Sequence, residues 1–239
     1  KDKYICLLVR DEKYLSLNNN ELYNYHSYRD SKIETYYKGI SFLLENDIWV
    51  IRMGKSMKTP IKLQHPKLID YSFDETRNDS LDISLFTNCF ACITTGSGPD
   101  SLANIYHKPS LFINFLPFYE LHSFAKSLTV PKTLLWIKNR NALNLDEIEK
   151  FTLYKTKDYI KNGIQIIDLN EDEILAAFKE FYLRINSLYV PNDYEIKLQK
   201  DFWTFFKKKK IFKTRHNWVN PEANICTFWL KKHSDTLNK

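Results

Sequence analysis

The 239-residue chain has five glycines, two methionines and four cysteines. No apolar run approaches the roughly 18 to 20 residues that a membrane-spanning helix needs. So few cysteines exclude a disulfide framework. They are Cys6, Cys89, Cys92 and Cys226, and the Cys89-x-x-Cys92 pair has no second ligand pair at zinc spacing. Strand alternation is expected to turn its two thiols to different faces, so core packing in a reducing, cytoplasmic setting is predicted. No Asp-x-Asp metal motif occurs. No Gly-x-Gly-x-x-Gly follows the first strand, which argues against a nucleotide-dependent dehydrogenase, because pyrophosphate needs close backbone approach there. With 44% apolar and 15% aromatic residues the chain is not disordered.

What the sequence does hold is concentrated between Cys89 and Pro117, CFACITTGSGPDSLANIYHKPSLFINFLP. Phe90 to Thr95 reads as a buried strand, Gly96-Ser97-Gly98 as a turn, Pro99 to Tyr106 as a short helix and Ser110 to Phe115 as a second strand. Ser97 suits a helix cap and Pro99 a first helical position. In such a βαβ unit the turn lies at the carboxyl edge of a parallel sheet, where its amides are expected to meet an anion. An ordinary turn without a ligand is the alternative.

The flanking segments extend the pattern. Lys3 to Arg10 is a strand, YICLLV, ending in Arg10-Asp11, and Ile48 to Met53 another ending in Arg52-Met53-Gly54-Lys55. The planar fork of an arginine at a strand's carboxyl end can pair with a phosphate, and Arg10 and Arg52 are expected to converge there. A rim salt bridge between Arg10 and Asp11 is the plainer account of the first. A long loop from Asn18 leads to Ser31, a helix cap with Glu34 as its capping-box partner, and a helix to about Asn46. Pro66 to Tyr71 is a short strand, Asp79 to Phe86 a helix, Ile164 to Leu169 a last strand, and Asn170 caps a strong amphipathic helix. Between Phe118 and Arg140 the pattern weakens. The alternation predicts an α/β fold, a Rossmann-like parallel sheet with helices on both faces. The chain starts directly on a strand without an initiator Met, so a fragment or a processed form whose upstream part is missing is expected.

The division expected is a Rossmann-like domain over residues 1–190 and a basic, aromatic helical tail over 191–239. Of the net charge of +6, the segment from Lys200 onward carries +7, with ten Lys/Arg against three Asp/Glu, so everything before it sums to −1. Nucleic acid is disfavoured as a partner, since no nucleic-acid motif accompanies the charge. Peripheral attachment at the inner face of a membrane suits Trp, Phe and Lys together. A solvated basic face on helices that pack back on the domain is the favoured reading.

The series VRDEKY, YRDS before a helix, WVIRMGK, the stretch from LDISLF to FINFLP, NLDEIEKF and GIQIIDLNEDEI resembles a bacterial family of surface-polysaccharide glycosyltransferases, distantly similar to the fucosyltransferase superfamily. The resemblance covers about residues 3 to 188. It implies the donor-binding C-terminal half of a two-Rossmann-domain (B-type) glycosyltransferase, with a nucleotide-diphosphate sugar as donor and a glycan or lipid-linked acceptor. It further implies diphosphate contacts from Arg10, Arg52, Thr95, Gly96, Ser97, Gly98 and Ser101. The superfamily's His-x-Arg-Arg is replaced here by Leu8-Val9-Arg10-Asp11, so a GDP-fucose-like donor is one option among several.

The chemistry needs negative charge on the leaving diphosphate to be neutralised by a metal or by cations and amides. A metal-free, cofactor-free solution is expected, with Arg10 and Arg52 catalytic and Asp11, Gly54 and Lys55 completing the donor site. Asp11 or His26 could serve as the acceptor-activating base, though a structural role is the favoured reading of either, and the base could belong to the missing domain. The competing function is a non-catalytic nucleotide-sugar-binding or targeting module of a larger protein.

Overall fold

A computed structural model describes residues 2–13 and 26–237; the loop expected from Asn18 onward falls largely outside them. The chain forms β1 (Tyr4–Leu8), α1 (Tyr37–Glu45), β2 (Trp49–Arg52), β3 (Leu68–Ile69), α2 (Asp79–Asn88), β4 (Ala91–Thr94), α3 (Ser101–Ile105), β5 (Ser110–Phe115) and β6 (Ser127–Pro131). It continues through β7 (Thr133–Trp136), α4 (Leu145–Glu149), α5 (Thr156–Lys161), β8 (Ile164–Ile167), α6 (Glu171–Ile185), α7 (Asp193–Lys207), α8 (Lys210–Arg215), β9 (Asn224–Ile225) and α9 (Thr227–Lys232). Seven strands form one parallel sheet in the order β3-β2-β1-β4-β5-β6-β9. The fold is thus α/β, a parallel sheet flanked by helices. From β1 the chain steps outward to β2 and β3, then returns to β4 on the other side of β1. That reversal opens a crevice at the carboxyl ends of β1 and β4.

Alternation divides the strand side chains between two cores. Ile5, Leu7, Val50, Ile93, Leu111 and Ile113 face α1 and α6, and Cys6, Leu8, Ile51 and Cys92 face α2 and α3. Cys89 joins Cys6 and Cys92 in the smaller core. This corrects the expectation of opposite faces: Cys89 precedes the strand, which starts at Ala91, so alternation does not govern it. All four cysteines are free and buried. In the larger core α1 and α6 meet closely at Gly39, where an added Cβ would stand 2.7 Å from the Phe178 ring. A mid-helix glycine costs about 1 kcal/mol against alanine, and here it admits that ring.

Three local expectations change. Ser31 does not cap α1, whose approach is a 3-10 turn over Ile33–Tyr36 without a side-chain cap. Its hydroxyl instead meets the Tyr36 hydroxyl at 3.2 Å and accepts from Asn114 Nδ2 at 2.9 Å. Ile164 to Ile167 is a strand, but it pairs antiparallel with β7 in a separate two-stranded ribbon. The weakly patterned stretch holds β6 and β7, and β6 hides its signal because Ser127 and Thr129 are buried polar residues.

The chain beyond residue 190 is built into this sheet. β9 adds its seventh strand, and Leu198, Phe202, Phe206, Trp229 and Leu230 enter the larger core. Each such side chain contributes about 1.5–3 kcal/mol on burial. Glu180 on α6 fastens the segment: its carboxylate accepts the Thr227 amide at 2.9 Å, the Thr227 hydroxyl at 3.1 Å and Arg184 Nε at 2.9 Å.

Candidate functional site

Beyond the β1–β4 ladder the two strand ends stay tied. The Thr95 amide donates to the Leu8 carbonyl at 3.1 Å, and the Arg10 amide donates to Thr95 Oγ1 at 3.0 Å. The chain then turns at Gly96, whose φ of +79° suits glycine; an added Cβ would lie 2.9 Å from the Phe115 ring. The Gly96 carbonyl accepts from Arg29 Nη2, and its amide donates to Thr94 Oγ1 at 3.1 Å.

An acidic side chain occupies the inside of this turn. Asp100, 5% exposed, accepts the Ser97 amide at 2.6 Å and the Thr94 hydroxyl at 2.7 Å, both on Oδ2. Burial pushes its carboxyl up from the ordinary carboxylate value. Two of the amides expected to cradle an anion, those of Gly96 and Ser97, therefore already have acceptors within the turn. The Ser101 hydroxyl is likewise spent on the Gly98 carbonyl at 2.6 Å. Gly98, unlike Gly96, has no positive φ and has open space where a Cβ would stand. The fold does not require glycine there.

Two cavities flank the strand ends. One, of about 610 Å³, gathers Arg10, Asp11, Gly54, Lys55, Ser97 and Gly98 over an apolar floor of Leu8, Met53, Met57, Phe86 and Leu102. Six expected residues thus meet in one crevice. The other, of about 670 Å³, lies toward the β7–β8 ribbon and α5, with Asp11, Asp30, Lys132, Asp168, Tyr28 and Tyr159 among its walls.

Arg10 stands between them. Its Nε lies 3.0 Å from Asp30 Oδ1, and its Nη2 is buried with no hydrogen-bond partner. Burial, chiefly, lowers the Arg10 pKa and raises that of Asp30 to about 6. Lys132, almost fully buried, donates to the Asp30 carbonyl at 2.6 Å and to Asp168 Oδ1 at 2.7 Å. His26 is pushed down to about 4, by desolvation first and then by Arg29 and Arg10.

Arg52 does not converge with Arg10. Its strand position puts it in register with Leu7, on the face of the larger core. There its guanidinium, 1% exposed, donates to the Thr59 carbonyl at 2.6 Å and pairs with Asp70 at 3.3 Å. Arg52 braces the β2–β3 connection instead of lining the crevice. Asp11 is engaged too: Oδ1 accepts the Lys13 amide at 3.0 Å and Oδ2 the Lys58 amide at 2.7 Å. Thr95 and Gly96 shape the site from behind, without lining either cavity.

No family model, curated protein or solved structure matches this chain. The chemistry of the crevice stands on its own geometry: a cation with one nitrogen unspent, a second cation in Lys55, which pairs with Asp79 at 3.4 Å, an Arg77–Asp82 pair in the wall, and an apolar floor. Arg29, Asp30, Lys132 and Asp168 are functional candidates that sequence reasoning left unassigned. Arg29 and Asp30 carried a signal, since they sit in the Tyr28-Arg29-Asp30-Ser31 box after β1; nothing local marks Lys132. Among the described residues no group of three or more His, Cys, Asp or Glu is placed to hold a metal ion, and no helix is long and apolar enough to cross a membrane.

Proposed function

We propose that the chain is the donor-binding half of a B-type glycosyltransferase that takes a nucleotide-diphosphate sugar. The observation that carries the reading is Arg10 Nη2, a buried donor without a partner at the mouth of a switch-point crevice. A diphosphate oxygen would satisfy it, with Lys55 as a second cation and the space beside Gly98 admitting the phosphate backbone closely. The apolar floor suits the flat face of a base or sugar. As the glycosidic bond to the donor breaks, charge grows on the leaving diphosphate, and a preorganised cation there lowers the barrier by about 2.7–4 kcal/mol, judged from oxyanion-hole deletions. Arg52 contributes by holding the loop that carries Gly54 and Lys55.

Asp30 is the carboxylate best suited to take the acceptor's proton. It faces the larger cavity, next to the diphosphate-binding arginine, and its pKa of about 6 is near the value at which a general base works at neutral pH. The acceptor would then enter from the ribbon side.

The test is a thermal-shift titration of GDP, UDP, CDP and ADP and their sugar conjugates, with and without magnesium, on the native chain and on Arg10→Ala. A rise in Tm with one nucleoside diphosphate that Arg10→Ala abolishes is the expected result. No shift with any of them rejects the reading.

A further inference from the structure

The residues from 202 to 221 include no Asp or Glu, and the fold sorts their rings from their charges. Phe202, Phe206 and Phe212 turn into the core, leaving the lysines outside. Some of the tail's cations find carboxylates: Lys209 pairs with Glu149 at 2.7 Å and Arg215 with Glu120 at 3.7 Å. Lys200, Lys207, Lys208, Lys210 and Lys213 are exposed and have no acidic partner among the described residues.

One large ring remains outside with them. Trp218 is 54% exposed, although its backbone is fixed: its carbonyl accepts from the Ser123 hydroxyl at 3.1 Å, and the Asn220 amide donates to the Ser123 carbonyl at 2.7 Å. Beside it Lys200, Trp203, Lys207 and Val219 line a shallow groove that has no carboxylate among its walls. α8 packs on the segment following β5, whose end belongs to the sheet edge that carries the crevice.

From this ridge we infer that the end of α7, α8 and the Trp218 loop form a docking surface for an anionic phospholipid bilayer. Unpaired lysines meet the negative surface potential, each strengthening partition about fivefold, and the fixed indole sits among the headgroups. Nucleic acid is the poorer fit, because single-strand binding relies on several exposed rings to stack bases, whereas Phe202, Phe206 and Phe212 are buried and Trp203 is half-buried against the core. The inference stands apart from the donor reading.

Co-sedimentation of the full chain with phosphatidylcholine vesicles containing increasing phosphatidylglycerol tests it. Binding should rise with the anionic fraction and fall with salt. The triple variant Lys208→Glu/Lys210→Glu/Lys213→Glu should weaken it at least about a hundredfold. The variant Lys62→Glu/Lys157→Glu/Lys161→Glu, with the same change in net charge, should bind as the native chain does; melting curves check that both variants fold. Brominated acyl chains should quench the fluorescence of bound protein, and Trp218→Phe should remove most of that quenching. Equal loss in both triple variants, no binding at low salt, or binding to a single-stranded RNA oligonucleotide but not to vesicles overturns the inference.

Discussion

Arg10 and Asp30 form an ion pair, 3.0 Å from Nε to Oδ1, that separates two cavities at the carboxyl edge of the sheet. Neither partner can be removed without changing the other's charge environment. A double-mutant cycle on Arg10→Ala and Asp30→Asn, read by urea unfolding, should give a coupling of about 1–3 kcal/mol. The functional effects should separate: Arg10→Ala loses nucleoside diphosphate binding, whereas Asp30→Asn keeps it and lowers sugar transfer by about 10²–10⁴-fold.

The two glycines of the turn should respond differently. Gly96→Ala meets both a positive φ and the Phe115 ring, so a loss of about 1–3 kcal/mol is expected. Gly98→Ala has free space and ordinary backbone, and should leave stability unchanged or raise it by about 0.4–1 kcal/mol. Gly98→Val should fill the crevice and weaken nucleoside diphosphate binding with the fold intact. Thermal melts with and without nucleotide distinguish these outcomes.

Glu180 holds the start of α9 through two groups of Thr227. Glu180→Ala leaves those donors and Arg184 without their acceptor, at an expected cost of about 3–5 kcal/mol. Denaturant unfolding followed by tryptophan fluorescence checks this, since Trp229 lies on the helix that is released.

Acid should destabilise the fold through His122 and His233, both pushed down to about 4 by desolvation first. His122 stacks on Phe112 at 3.8 Å and His233 lies 4.0 Å from the Trp229 ring, centroid to centroid. The unfolded chain protonates them near pH 6.5, so between about pH 6.5 and 4 it binds more protons than the folded one, and stability falls as pH falls. At pH 5 each would account for up to about 2 kcal/mol. Asp30 acts oppositely: its raised pKa favours the folded state toward low pH, so its contribution is lost as pH rises from about 4 through 6. Urea midpoints from pH 7 to 5, compared with His122→Gln and His233→Gln, should show a shallower acid slope in each variant.

The parallel sheet was legible because β1, β2, β4 and β5 are short apolar runs closed by polar turns, and the order of helices and strands between them left few topologies. Arg52 was misplaced because its position at a strand end says nothing about its face; only its parity with Val50 and its pairing with Leu7 do. Ser31 carried a capping signal, yet the buried Asn114 offered its hydroxyl a better-enclosed partner. The turn amides looked available because a sequence does not reveal that Asp100 folds back onto Ser97. β8 was visible as a strand, but its antiparallel partner β7 was not, since IQII records burial and not neighbours. Two residues, Asn224 and Ile225, are too few to announce a strand at all.

Those two residues also give the molecule a history. β6 is complete by Pro131, whereas the strand that covers its outer edge arrives about ninety residues later. During vectorial synthesis that edge, with Leu128 and Val130 on one side and unpaired backbone groups along it, waits while the intervening helices emerge. Nascent chains held at that stage offer a template for mispairing with one another, so yield should depend on chaperone supply more than the finished protein's stability would suggest.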